Sequence, residues 1–216
     1  MFVITADQID SRNDRDRASE MIARLDADYG HAFTLPPDQT SGDEIQVMMP
    51  DAQTALDVIL TLHRAGHWSI GLGVGEVRTP LPASTRQSAG GAFVGARNAV
   101  MRAKKADARF ALETDAKDAE TDAKDAAAAA GDSRQELRGD EVEALVIMLL
   151  LLRQRRTSEG WEAVDLLQHG LSQIEIATEV GISTAAVSQR IKAALWRVED
   201  AGRPALVRLL DNLDQV

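Results

Sequence analysis

Asp7 closes the apolar run "FVITAD", and Asp43 and Glu44 sit inside "SGDEIQVMMP", just before an alternating run. If the two runs are neighbouring strands, Asp7 and Asp43 meet at one end of a sheet. Two carboxylates about 5 Å apart repel by roughly 3 kcal/mol at an effective dielectric near 20. A divalent cation removes that cost, and Mg²⁺ commonly takes one or two carboxylates together with phosphate oxygens. The same residues also suit a plain hairpin turn, because Gly42 accepts positive φ and aspartate favours turns. On the residues alone both readings stay open.

A second chemical signal is an absence of side chains. In "WSIGLGVGEV", Trp68, Ile70, Leu72 and Val74 alternate with Ser69, Gly71, Gly73 and Gly75. As a strand this stretch shows one bulky face and one of bare backbone. Glycine weakens a strand, so the run needs a reason. Either a ligand or second subunit approaches that face, or a helix packs closely on it.

The elements that position these residues read as follows. Strands and helices alternate from residue 1 to about 112, in the order βαββαβαβ. "FVITAD", "HAFTL", "EIQVMM", "WSIGLGVGEV" and "RFALE" are the strands. Residues 15–29, 51–66 and 90–106 carry apolar side chains at helical spacing or open with glycines. That order suits an α+β layered sheet with helices on one face. Residues 113–139 hold the heptad "ETDAKDA" twice and an alanine run, an acidic linker with no large apolar face. From residue 140 every segment is helical: 140–156, 159–169, 172–179, 184–200 and 204–214, with Gly202-Arg203-Pro204 as a break.

The stretches "ITADQIDSR", "SGDEIQ" and "IGLGVGEV" resemble SatD-type bacterial proteins, which in turn are similar to the palm of class III nucleotide cyclases and GGDEF domains. The likeness covers residues 1–112. It implies a ferredoxin-like, cyclase-like palm. It also implies Mg²⁺ with a purine nucleotide, the metal on Asp7, Asp43 and Glu44. Gly42, Gly71, Gly73, Gly75, Gly90, Gly91 and Arg97 are the nucleotide-binding residues it implies. "GGAFVGARNA" resembles the cyclase helix that carries an arginine toward the phosphates. Two departures stand out. The hairpin lacks the full GGDEF signature, and the helix has no matching asparagine. The resemblance therefore implies nucleotide and metal binding more than turnover.

The most specific stretch is "LSQIEIATEVGISTAAVSQRIKAAL", residues 171–195. Ala177 is small where a second helix would cross, Gly181 permits a tight turn, and Ile182 and Val187 are placed to hold the second helix on a core. It resembles the helix-turn-helix of bacterial transcriptional regulators, sigma factors and LuxR-type proteins. The resemblance implies duplex DNA as partner. Ser183, Thr184, Ala185, Ser188, Gln189, Arg190 and Lys192 would lie at or near the major groove. Gln189 pairs well with adenine and Arg190 with guanine or phosphate. Arg153, Arg155, Arg156 and Arg197 are further candidates for phosphates. A plain three-helix core or an interaction module is the competing reading, and the acidic balance favours it.

Composition bounds the rest. The 216 residues carry a formal net charge of −10 and no cysteine, so disulfides and thiolate metal sites are excluded. His31, His63, His67 and His169 show no metal spacing. The run "ALVIMLLLL" is too short to cross a bilayer. Its apolar residues lie all round a helix, which calls for burial inside the domain or in a homodimer. The stretch "MFVITADQ" lacks the basic and long apolar regions of a signal peptide, and the expected location is cytoplasmic. The function expected is a DNA-binding transcriptional regulator whose palm senses a nucleotide. Two other readings stand beside it. One is a Mg²⁺-dependent cyclase or nucleotidyl transferase, and the other is a palm used only for dimerisation.

Overall fold

The computed structural model describes residues 1–11, 15–40, 42–115 and 137–215. The repeated heptads expected as a linker fall almost wholly outside the described residues. The chain divides into two compact units. One is Met1–Ile147 with Val207–Val216, and the other is Met148–Leu206.

The first unit is mixed α and β. Its elements are β1 (Phe2–Gln8), α1 (Ala18–Tyr29), β2 (Leu35–Gln39), β3 (Glu44–Met49), α2 (Ala52–Ala65), β4 (Trp68–Val74), α3 (Gly91–Ala103) and β5 (Phe110–Thr114). The order along the chain is the expected βαββαβαβ. The five strands form one sheet, ordered β2-β3-β1-β4-β5. β1 runs antiparallel to β3 and to β4, whereas β4 and β5 are parallel and joined through α3. β1 is central and buried on both faces, which is why "FVITA" is apolar without a polar alternation.

Helices cover both faces of this sheet, not one. α3 lies on the glycine face, where Val3, Met48, Ala92, Phe93 and Ala96 pack together. α1 and α2 cover the face of Ile4, Ile70 and Leu72, and Tyr29 of α1 meets Thr61 of α2 at 2.9 Å. α2 starts where Asp51 accepts from the Thr54 amide at 2.8 Å and stops at Gly66, φ +76°. β2 also departs from the expected "HAFTL". It holds Pro36 and Pro37, which cannot donate, and it is an edge strand paired only with β3. Edge strands tolerate such residues. The other edge, β5, is closed by side chains. The Leu112 amide donates to Glu143 at 2.6 Å, and Arg102 donates to the Leu112 carbonyl at 2.6 Å. Covering an edge in this way removes a template for pairing with another chain.

Among the described residues the helices after β5 are α4 (Gly139–Gln154), α5 (Ser158–Gln168), α6 (Gln173–Val180), α7 (Thr184–Ala193) and α8 (Trp196–Gln215). The break expected at 202–204 is absent. α8 runs through Pro204, and the chain breaks at Leu195 instead, φ +53°. Arg156 is the reason. Its Nε and Nη2 donate to the Ala194 carbonyl at 3.0 and 2.8 Å, which takes that acceptor away from the helix ladder. Asp200 and Pro204 are both exposed, so the carbonyl deprived of a helix donor can take water.

Candidate nucleic-acid interface

The acid end of the sheet forms, and two of its acids are paired with cations of the chain. β1 and β3 are neighbours, and the cross-strand partner of Asp7 is Glu44, not Asp43. Both lie on the α3 face. Lys104, just past the end of α3, donates to Asp7 Oδ2 at 2.7 Å. Arg97, two turns earlier, stands 3.7 Å from Glu44, whose other partner is the Thr40 hydroxyl at 2.6 Å. The repulsion between the acids is thus relieved by two cations of the chain itself. Among the described residues no three histidines or acids are grouped to hold a metal. Gly42, φ +74° and exposed, does serve the hairpin turn, and the Asp43 carbonyl accepts from the Gln8 amide at 3.3 Å.

Five of the other expected nucleotide contacts, Gly71, Gly73, Gly75, Gly90 and Gly91, lie close against groups of the chain itself. A Cβ on Gly71 would lie 2.2 Å from Val100 N, and one on Gly73 would lie 2.0 Å from the Ala92 carbonyl oxygen. The bare face therefore receives the backbone of α3, the helix-packing reading of the glycine run. Gly75 and Gly91 both abut Asp115. A Cβ on Gly91 would lie 1.8 Å from Asp115 Oδ2, so a carboxylate of the chain holds the start of α3. Helix starts favour such negative charge. Gly90, φ +146°, lies against the Glu76 carbonyl. Arg97 is exposed and paired with Glu44.

The second unit offers a different surface. α6 opens with a reciprocal cap. The Glu175 amide donates to the Ser172 hydroxyl at 3.3 Å, and Glu175 accepts from the Ser172 amide at 2.7 Å. The Ser172 amide first and the Ser172 hydroxyl second, each donating to the carboxylate at 2.7 Å, hold the Glu175 carboxyl below its usual range. α6 ends at Gly181, φ +70°, and Ile182 donates to the Ala177 carbonyl at 3.0 Å. Three residues, Gly181 to Ser183, then lead into α7. Ser183 caps it by accepting from the Ala186 amide at 3.2 Å.

α7 is divided by face. Val187 and Ile191 are buried with Ala163, Ile176 and Ala177, and Leu171, Val180, Ile182 and Trp196 close the cluster. Thr184, Ala185, Ser188, Gln189 and Lys192 are exposed, as is the capping Ser183. Arg190 is partly covered and donates to Glu162 at 2.8 Å. Ala177 and Val187 are buried in this cluster, Ile182 packs against it, and Gly181 makes the turn.

Two of the expected phosphate contacts belong to the interior instead. Arg153 and Arg156 are buried and both pair with Glu199, Arg156 at 2.7 Å. Trp161 lies against them, 4.8 and 4.3 Å from the guanidinium carbons. Burial first, against the pull of Glu199, brings Arg153 down to about 10. Arg155, between them in sequence, is exposed. Sequence reasoning missed Glu199 and Lys104. The one available signal was spacing, because Arg97 and Lys104 stand seven apart on one side of a helix. Comparison of the chain with protein-family models, curated proteins and solved structures returns no match.

Proposed function

We propose that the chain is a DNA-binding regulator that reads duplex DNA with α7. The observation that carries this is the division of α7. Its apolar side chains anchor it on α5 and α6, and its outer face presents hydroxyls, an amide, a methyl and an ammonium to solvent. A helix held in that way at a tight turn fits the major groove, early residues at the base edges. Gln189 offers a bidentate pair to adenine, Thr184 and Ser188 hydrogen-bond either partner type, and Ala185 suits a thymine methyl. Lys192 reaches a phosphate.

Charge bears on how such binding works. The second unit carries seven acids and seven bases, so the net −10 of the chain lies outside it. With little basic excess, non-specific attraction is weak and base contacts carry more of the affinity. The nucleotide expected for the first unit is not part of this proposal, because Asp7, Glu44 and Arg97 are paired within the fold and Gly71 and Gly73 lie against α3.

The test is selection of binding sequences from a randomised duplex library by the full chain at low salt. An enriched motif is expected. Gln189→Ala should relax discrimination at one position, and Lys192→Ala should weaken all sequences alike and lower the salt slope by about 1. Failure to enrich any sequence overturns the proposal.

A further inference from the structure

A groove of about 360 Å³ opens in the second unit between the start of α5 and one side of α7. Arg155 and Gly160 line one wall, and Ala186, Gln189, Arg190 and Ala193 line the other. Its chemistry is twofold: a floor of methyl groups and glycine backbone, and two guanidiniums. Arg155 is exposed and makes no ion pair among the described residues. Arg190 pairs with Glu162, an acid half exposed at 50%. A guanidinium has five N–H donors, so that pairing leaves others for an anion. Thr157 is committed to its own helix, accepting from the Gly160 amide at 3.2 Å.

The groove's place on α7 selects the ligand. Positions 186, 189, 190 and 193 fall on one side of the helix, roughly 130° round from the exposed face of 184, 185, 188 and 192. Gln189 belongs to both. A helix lying in the major groove is flanked on that side by a DNA strand. We propose that this groove seats one sugar–phosphate unit of the DNA backbone, its phosphate on Arg155 and Arg190 and its deoxyribose on Ala186 and Ala193. Such a contact fixes the register of α7 but reads no base. It rests on the DNA-binding reading above and deepens it. Glu162 then acts as a placeholder, holding Arg190 in position until a phosphate takes part of its donors.

The experiment is a salt titration of binding to a short mixed-sequence duplex, followed by fluorescence anisotropy, with the full chain. Arg155→Ala should lower the slope of log K against log salt by about 1 and weaken all duplexes equally. Ala193→Asp, which keeps both arginines and places a carboxylate in the groove, should weaken binding further at unchanged melting temperature. Gln189→Ala should leave the slope alone. Inorganic phosphate alone is the second arm, read by its protection of Arg155 from a guanidinium-modifying reagent. Wild-type binding with a slope unchanged in Arg155→Ala overturns the backbone seat. Protection by inorganic phosphate under that result marks a free-phosphate site instead. No duplex binding by the wild type overturns the DNA-binding reading itself.

Discussion

Lys104 Nζ donates to Asp7 Oδ2 at 2.7 Å, across the end of the sheet from Arg97 and Glu44. An ammonium there supplies the positive charge that the paired acids call for. Mg²⁺ would have to displace it. We therefore expect no Mg²⁺-dependent shift in the thermal midpoint, with or without a purine nucleotide. The Asp7–Lys104 pair is partly exposed, 21% and 37%, so Asp7→Asn should cost no more than about 1 kcal/mol. A Mg²⁺-dependent shift abolished by Asp43→Asn would overturn this.

The glycines of β4 give a sharper prediction. Gly73 lies beneath the Ala92 carbonyl, so a methyl group has no room unless α3 lifts from the sheet. Overpacking typically costs about 1–3 kcal/mol, and a backbone clash stands at the upper end or beyond. Gly73→Ala should destabilise the first unit severely. Gly181→Ala meets open space, and its cost of about 1–2 kcal/mol is conformational, from φ +70°. Urea denaturation of the two variants should rank them in that order. Equal costs would mean that α3 is not fixed on the glycine face.

These contrasts show what the sequence makes legible. Element order could be read because periods of 2 and 3.6 are local, as in "WSIGLGV" and α2. The interior of α6 and α7 was legible for the same reason, since Ala177, Gly181 and Val187 act within one short motif. Partners distant in sequence were not. Glu199 draws Arg153 and Arg156 inward from more than forty positions away, and three consecutive-looking basic residues divide into two buried and one exposed. The bare face of β4 was ambiguous because absence of side chains fits a ligand and a helix equally. The countercharges of Asp7 and Glu44 were not legible either, because Lys104 and Arg97 lie far along the chain. β2 was misplaced because Pro36 and Pro37 break a strand only where their missing amides would be needed.

Glu199 is fully buried and joins Arg153, Arg156 and, at 3.9 Å, Arg203. Removing one partner of a buried pair leaves charge without compensation and costs about 3–5 kcal/mol. Glu199→Gln strands two buried guanidiniums and should reach that range in denaturant unfolding of the second unit. It should also free Arg156 from its place beneath Ala194, which the helix break at Leu195 depends on. Replacing Trp161 by Leu should cost less, since it removes a cation–π contact of about 1–2 kcal/mol and keeps the ion pairs. A Glu199→Gln variant as stable as wild type would show that this cluster is hydrated and not a closed interior.

Acid should act on the second unit through the cap of α6. The Glu175 carboxyl is held below the ordinary glutamate value of 4.5 by the Ser172 amide and then by its hydroxyl, and an acid depressed on folding favours the folded state when ionised. Its contribution is therefore complete at neutral pH and above 4.5, and it fades as pH falls below that value. Glu159, at the start of α5, is lowered in the same direction, first by its own backbone amide and then by Thr157. Glu175→Gln keeps a hydrogen-bonding group at this position but removes the charge. The variant should be less stable than wild type at neutral pH, and the difference should shrink on acidification below 4.5 until the two melt together. Thermal melts across that range decide it. A difference that persists undiminished in acid would place the role of Glu175 in packing, and the charge of the cap would then contribute nothing to holding α6 against α7.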